Sequence, residues 1–413
     1  MKRIKKSWYF TVILLTTCSI CLLLWHLITY LKPHTSTIKI GIIHSLTGSL
    51  AISELPVVDA ILLAVKEINS AGGILGKQIE PITVDGKSDE KIFATEAERL
   101  ITQEKVVALF GCWTSPSRIF VKNVVEKYNN ILFYPVQFEG LENSPNVVYT
   151  STTPNQQIIP GIVWCLKHLG KSFFLVGSDR IVHQIINDVI YAYNGTVVGE
   201  EYLALADKNI APIVAKIIET KPDVIINNIE GESNALFFDE LRKNGITPEK
   251  IPTMSFSISE PELKLFGTRA MTGDYATWSY FQSIDNAENK EFIKKVKKAY
   301  GNDHVTGDAM EAAYVGIYLW SQAAKKAQST DTDKILPALN NQSFNAPQGI
   351  VYINDTSLQA WQLTRIGKIR SDMQFTILWS SQKAIRPVPY PPFKTVAEWQ
   401  NLRIKIENYE KNQ

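Results

Sequence analysis

Between residues 38 and 157 the chain alternates short β-branched runs with amphipathic stretches, and no other feature restricts its fold as much. The runs cover 38–43, 79–84, 106–110 and 131–134. Each ends in a polar or aromatic loop: His44-Ser45-Leu46-Thr47-Gly48, Asp85-Gly86-Lys87-Ser88-Asp89, Gly111-Cys112-Trp113-Thr114-Ser115-Pro116 and Pro135-Val136-Gln137-Phe138-Glu139-Gly140. Strands alternating with helices predict a parallel sheet. In such a sheet ligands sit at the carboxyl ends of the strands, where these loops fall. The sequence therefore locates a binding surface before it says what binds.

A second series starts after residues 150–157. Strands are expected over 173–177, 196–203, 224–228, 253–255 and 272–277, with helices over 183–193, 211–219 and 233–243. Longer helical patterns cover 287–300 and 307–328, the latter carrying Met310, Tyr314, Ile317 and Ala324 along one face. Short strands are expected at 349–354, 359–366 and 374–379, and proline-rich 386–392 begins an extended tail. The fold class is α/β, with two doubly wound lobes around a ligand cleft. Residues 37–150, with 281–345 returning, form the first lobe. Residues 151–280, with 346–385 returning, form the second, and 386–413 form the tail. A single continuous sheet is the alternative, but it leaves the second series without a reason to restart.

A chain of 413 residues exceeds one ordinary core, and 45% hydrophobic with 20% charged residues is the composition of a folded protein. A net charge of +2 without a long basic stripe excludes a nucleic-acid partner. Lys2, Arg3, Lys5 and Lys6 precede an apolar run over 8–31. That run is long enough to span a bilayer, so residues 1–36 read as a transmembrane anchor with the remainder outside the cytoplasm. A removed signal or a lipid anchor is the alternative. Cys112 and Cys165, in the body, read as two buried free thiols, with one disulfide between them as the alternative, and no pair in the body spaces like a zinc site. No metal or cofactor is expected.

The loops have a family likeness. His44-Ser45-Leu46-Thr47-Gly48, Gly111-Cys112-Trp113-Thr114-Ser115, Phe133-Tyr134-Pro135-Val136-Gln137-Phe138-Glu139-Gly140 and Pro154-Asn155-Gln156-Gln157 resemble the urea and short-chain amide binding proteins. Trp278-Ser279-Tyr280-Phe281-Gln282-Ser283, Glu311-Ala312-Ala313-Tyr314, Ala346-Pro347-Gln348-Gly349 and Arg365-Ile366-Gly367 extend the resemblance over about 38–392. It implies a type I periplasmic binding fold of the branched-chain amino acid group. It also implies a receptor that captures a small solute by lobe closure and delivers it to an ABC permease. By the same resemblance, Trp113, Ser115 and Tyr134 contact the ligand.

A small planar amide needs aromatic walls, an acceptor for its protons and a donor for its carbonyl oxygen. Trp113 and Tyr134 are the expected walls, Ser115 the group at the carbonyl, and Gln137 and Glu139 the acceptors. Ser45, Thr114, Phe138, Arg180 and Glu230 complete the expected ligand-binding set. Each has a structural reading as well: Ser115 as an N-cap before Pro116, Trp113 as a cover for the sheet end, Tyr134 as a packed strand terminus. Two departures bear on the ligand. After Gly177-Ser178-Asp179 the resembled family has an aromatic residue and this chain has Arg180, whose fixed charge favours a carboxylate if it faces the cleft. At 355–361 an Asn-His-His segment is replaced by Asp-Thr-Ser-Leu-Gln-Ala-Trp. The second functional reading is a ligand sensor, either an amide sensor controlling amidase or one acting through a separate membrane signalling partner, with an amino acid or carboxylate as the alternative ligand. No catalytic residue is assigned: the six histidines show neither metal spacing nor a nucleophile elbow, and only His44 falls in a cleft loop.

Overall fold

The computed structural model describes residues 37–411 apart from residue 268. The anchor expected over 1–36 lies outside the described residues. Among the described residues no helix is long and apolar enough to cross a membrane.

The four β-branched runs become β1 (Ile38–His44), β2 (Ile79–Asp85), β3 (Leu109–Gly111) and β4 (Leu132–Tyr134). A fifth strand, β5 (Val147–Tyr149), completes a sheet ordered β2-β1-β3-β4-β5 whose pairings are all parallel. β5 is the one strand of this sheet that the sequence analysis does not expect. Helices α1 (Ala51–Ser70), α2 (Glu90–Thr102) and α3 (Ser115–Lys127) connect the first strands. β1 is buried on both faces, as a central parallel strand requires.

After α4 (Ile158–His168), β6 (Ser172–Gly177), β7 (Thr196–Tyr202), β8 (Val224–Asn228), β9 (Thr253–Ser255) and β10 (Tyr275–Trp278) build a second sheet. α5 (Arg180–Ala192), α6 (Ala211–Thr220), α7 (Ser233–Lys243) and the short α8 (Glu260–Phe266) link them. The chain then returns to the first sheet. α9 (Ala287–Tyr300), α10 (Asp308–Ala327) and α11 (Thr332–Leu339) are followed by a small antiparallel sheet of β11 (Ser343–Ala346), β12 (Gly349–Ile353) and β13 (Ala360–Trp361). Met310, Ile317, Trp320, Val351 and Ala360 share one core with β1 and α1. α10 is buried well beyond the one apolar face that its sequence period suggests.

The return to the second sheet therefore comes at β14 (Arg365–Ile369), not near 345 as the sequence suggested, because Ala346, Val351 and Ile353 are consumed by the first core. β14 and β15 (Phe375–Ser380) close the order β15-β14-β10-β9-β8-β6-β7. The tail also differs from expectation. Instead of remaining extended it ends in α12 (Val396–Lys411), docked on the second lobe by the fully buried Trp399, whose indole donates to the Pro391 carbonyl at 2.8 Å.

The start of α10 ties the crossing segments together. Asp308 accepts from the Ser151 hydroxyl at 3.0 Å and from the Ser279 and Tyr280 amides at 3.1 and 2.9 Å. Glu311 accepts from the Gln348 amide at 3.1 Å, and Arg365 donates to the Gln348 carbonyl at 2.7 Å. Charged side chains buried here are each satisfied by the segments that cross between the two sheets.

Candidate ligand-binding cleft

Strand order reverses at β1/β3 in the first sheet and at β6/β8 in the second. Loops leaving such a switch point diverge and open a crevice at the strand ends. Here the two crevices face each other. From the first lobe come Trp113, Thr114 and Ser115 after β3, and Gln137 and Glu139 after β4. From the second come Ser178 and Asp179 after β6, and Glu230 after β8.

The facing loops enclose three adjoining chambers, of about 240, 20 and 30 Å³. Glu230 lines all three. Trp113 and Gln137 line the two smaller ones, and Ser115, Glu139 and Asp179 join the largest to the third. Contacts already bridge the lobes: the Gln137 amide donates to the Phe256 carbonyl at 3.3 Å, and Ser53 of α1 hydrogen-bonds Glu262 of α8.

The β3–α3 loop owes its shape to Gly111 and Cys112. A Cβ on Gly111 would lie 1.9 Å from the Ile43 carbonyl oxygen, so only glycine lets β3 run this close to β1. Cys112 follows with φ 69, and its thiol is buried. Thr114, not Ser115, caps α3 by accepting from the Ser117 amide at 3.2 Å. Pro116 occupies the first turn, where no helical partner is lost. Relieved of capping, the Ser115 hydroxyl donates to Glu139 at 2.5 Å and accepts from Arg118 at 3.1 Å.

Arg118 is the anchor of this loop pair. Fully buried, its guanidinium donates to Glu139 Oε1 at 2.7 Å and to Glu142 at 3.2 Å. Burial pushes the Glu142 carboxyl up, but Arg118 and Lys122 outweigh it and hold the group down at about 2. Glu139 is thus a structural carboxylate that also lines the cleft, rather than a free acceptor. Tyr134 is buried against Phe138 and Tyr149, with its hydroxyl donating to the Trp113 carbonyl at 2.6 Å. It supports the Trp113 loop from below and reaches only the third chamber, as does Phe138, which stacks on Tyr149 at 4.6 Å.

Two expected residues are not brought into the cleft. Ser45 is fully buried under the β1 loop, where its hydroxyl accepts from the Ser88 amide at 2.9 Å. Arg180 lies over the Tyr202 ring at 3.9 Å, on the edge strand β7, and lines none of the three chambers. Its position as the first residue of α5 turns it away from the cleft, whereas Asp179 before it caps the helix and lines two chambers. His44 is also buried, hydrogen-bonded to Glu54 at 2.8 Å.

Sequence reading missed Glu54, Asp179 and Arg118. Their signal is faint: first-turn or cap carboxylates and one helical arginine look like ordinary solvated charges. Together they set the electrostatics. Burial pushes the Glu230 carboxyl up to about 7, and Asp179, Glu139 and Glu54 add to the rise. Among the described residues its side chain has no hydrogen-bond partner. A carboxyl so placed can accept a hydrogen bond from an N–H group brought into the cleft.

Residues 38–396 match the family model described as Periplasmic binding protein domain. A Leu/Ile/Val-binding protein homolog 7 from Brucella suis is 22% identical over 387 residues, 87% of this chain and 95% of that protein. A limonene hydroxylase from Geobacillus stearothermophilus is 38% identical over 129 residues; the match covers 31% of this chain and only 23% of that protein. Among solved structures, a solute-binding protein of an R. palustris ABC transporter, in complex with 4-hydroxybenzoate, superimposes with a TM-score of 0.77. That pair is 22% identical, with 84% of this chain and 97% of the other covered.

Proposed function

The chain belongs to the periplasmic binding protein family, and from that premise we propose that it is an extracytoplasmic receptor for urea or a short-chain amide. Its lobes close on the solute and deliver it to an ABC permease, with residues 1–36 holding it at the membrane. The observation that carries the ligand class is Glu230, a carboxyl without a hydrogen-bond partner among the described residues, at the junction of all three chambers. Amide N–H groups suit this acceptor, Trp113 supplies an apolar wall, and the narrow chambers around both favour a small ligand.

The Leu/Ile/Val-binding name of the Brucella relative favours an amino acid as the second reading, its ammonium group taking the place of the amide at Glu230. An aromatic acid, as in the R. palustris complex, fits less well. Glu54, Glu139, Asp179 and Glu230 all line the cleft, against the single cation Arg403 among the described residues lining its largest chamber, and Arg180 lies outside all three. The limonene hydroxylase match spans less than a third of this chain and less than a quarter of that protein, so it carries no functional reading here. A sensing role remains the alternative to transport and shares the same cleft.

Calorimetric titration of the full chain with urea, acetamide, formamide, isoleucine and 4-hydroxybenzoate tests the proposal. Binding of urea or a short amide, lost in Glu230→Leu, supports it. Isoleucine binding without amide binding selects the second reading. Binding of 4-hydroxybenzoate alone overturns both.

A further inference from the structure

The largest chamber is lined by carboxylates from both lobes: Glu54, Glu90 and Glu139 from the first, Asp179 and Glu230 from the second. Arg118 already balances Glu139 and His44 hydrogen-bonds Glu54, so the like charges that closure brings together in a space of falling dielectric are those of Glu90, Asp179 and Glu230, and their repulsion opposes closure. Among the described residues, the only cationic side chain lining that chamber comes from neither sheet. It is Arg403, on α12.

The tail delivers Arg403 along a fixed path. The Asn155 side-chain amide donates to the Arg386 carbonyl at 2.8 Å, and the Leu141 backbone amide donates to the Pro389 carbonyl at 2.7 Å. Lys394 then pairs with Asp188 of α5, and Trp399 and Leu402 pack with Ile185 and Val189. The tail thus crosses the first lobe's Gly140 loop before it docks on the second lobe, and α12 places Arg403 at a chamber that faces Pro116 and Ile119 of α3.

We propose that Arg403 is a positioning residue for closure: the C-terminal helix supplies the counter-charge that lets two acidic cleft faces meet. The role rests on the cleft being where the lobes close on ligand, but it acts without any ligand. Removing one cation from a chamber lined by several carboxylates shifts the open-to-closed ratio by about tenfold at low salt. Added salt screens the repulsion and reverses the shift.

The test is the distance distribution between spin labels on α2 and α6 in the full chain, at low and at moderate salt. Arg403→Gln is expected to populate the open form about tenfold more at low salt, with salt restoring closure and Arg403→Lys matching the wild type. An unchanged distribution in Arg403→Gln overturns the proposal. A shift that salt does not reverse, accompanied by a lower melting temperature, also overturns it, because the arginine then only docks the helix. Failure of the ligand proposal would read differently: urea and amides would leave the wild-type distribution unmoved while the Arg403→Gln shift persisted.

Discussion

Glu230→Gln removes the charge that the cleft tolerates least while keeping the side chain's shape. In the folded protein burial raises the Glu230 carboxyl from 4.5 to about 7, with Asp179, Glu139 and Glu54 contributing. At about 1.4 kcal/mol per tenfold change in proton affinity, ionising it costs the folded state about 3 kcal/mol. Its half-buried position facing the chambers reduces this to about 2 kcal/mol. The sign follows from linkage. Below pH 4.5 the carboxyl is protonated in both folded and unfolded chains, so glutamate and glutamine are equivalent. Between 4.5 and 7 the unfolded chain ionises first, and the wild type loses stability that the variant keeps. Above 7 the difference levels off. Guanidinium chloride denaturation of both proteins at about pH 4, 5.5, 7 and 8 measures it, and avoids urea, the proposed ligand. The expected result is a stability difference that grows from near zero to about 2 kcal/mol in favour of Glu230→Gln. Equal stabilities throughout, or a less stable variant at the highest pH, would refute the claim that this carboxylate is held uncompensated.

Two further substitutions probe what supports the cleft. Arg118→Ala leaves Glu139 buried without its counter-ion and Glu142 with Lys122 alone, and should cost about 3–5 kcal/mol in the same denaturation assay; a cost below about 1 kcal/mol would mean that the carboxylates find other partners. Trp399→Ala empties a fully buried site in the second core and should cost about 3–5 kcal/mol. It should also expose the chain at Lys394 to trypsin, whereas an uncut tail at unchanged stability would show that α12 is held without its indole.

The alternation of β-branched runs and amphipathic stretches was enough to fix two doubly wound sheets, because strand and helix periods are local properties of the chain. The helix at Ala287–Tyr300 and the strand at Thr253–Ser255 fall at the residues the pattern indicated. Topology then made the loops after β3 and β4 cleft loops, and Trp113, Ser115, Gln137 and Glu139 on them line the chambers. What those side chains do there was not legible. Whether Ser115 caps a helix or joins Arg118 and Glu139 depends on a carboxylate 24 residues away in sequence. Arg180 and Asp179 are neighbours in sequence, yet the start of α5 sends one over Tyr202 and leaves the other lining the cleft. The arginine that lines the largest chamber arrives on a helix in a tail whose prolines suggest an extended chain. Local backbone preference is written residue by residue and can be read that way. Charge pairing and burial belong to groups brought together from distant parts of the chain, and only the packed lobes decide which groups those are.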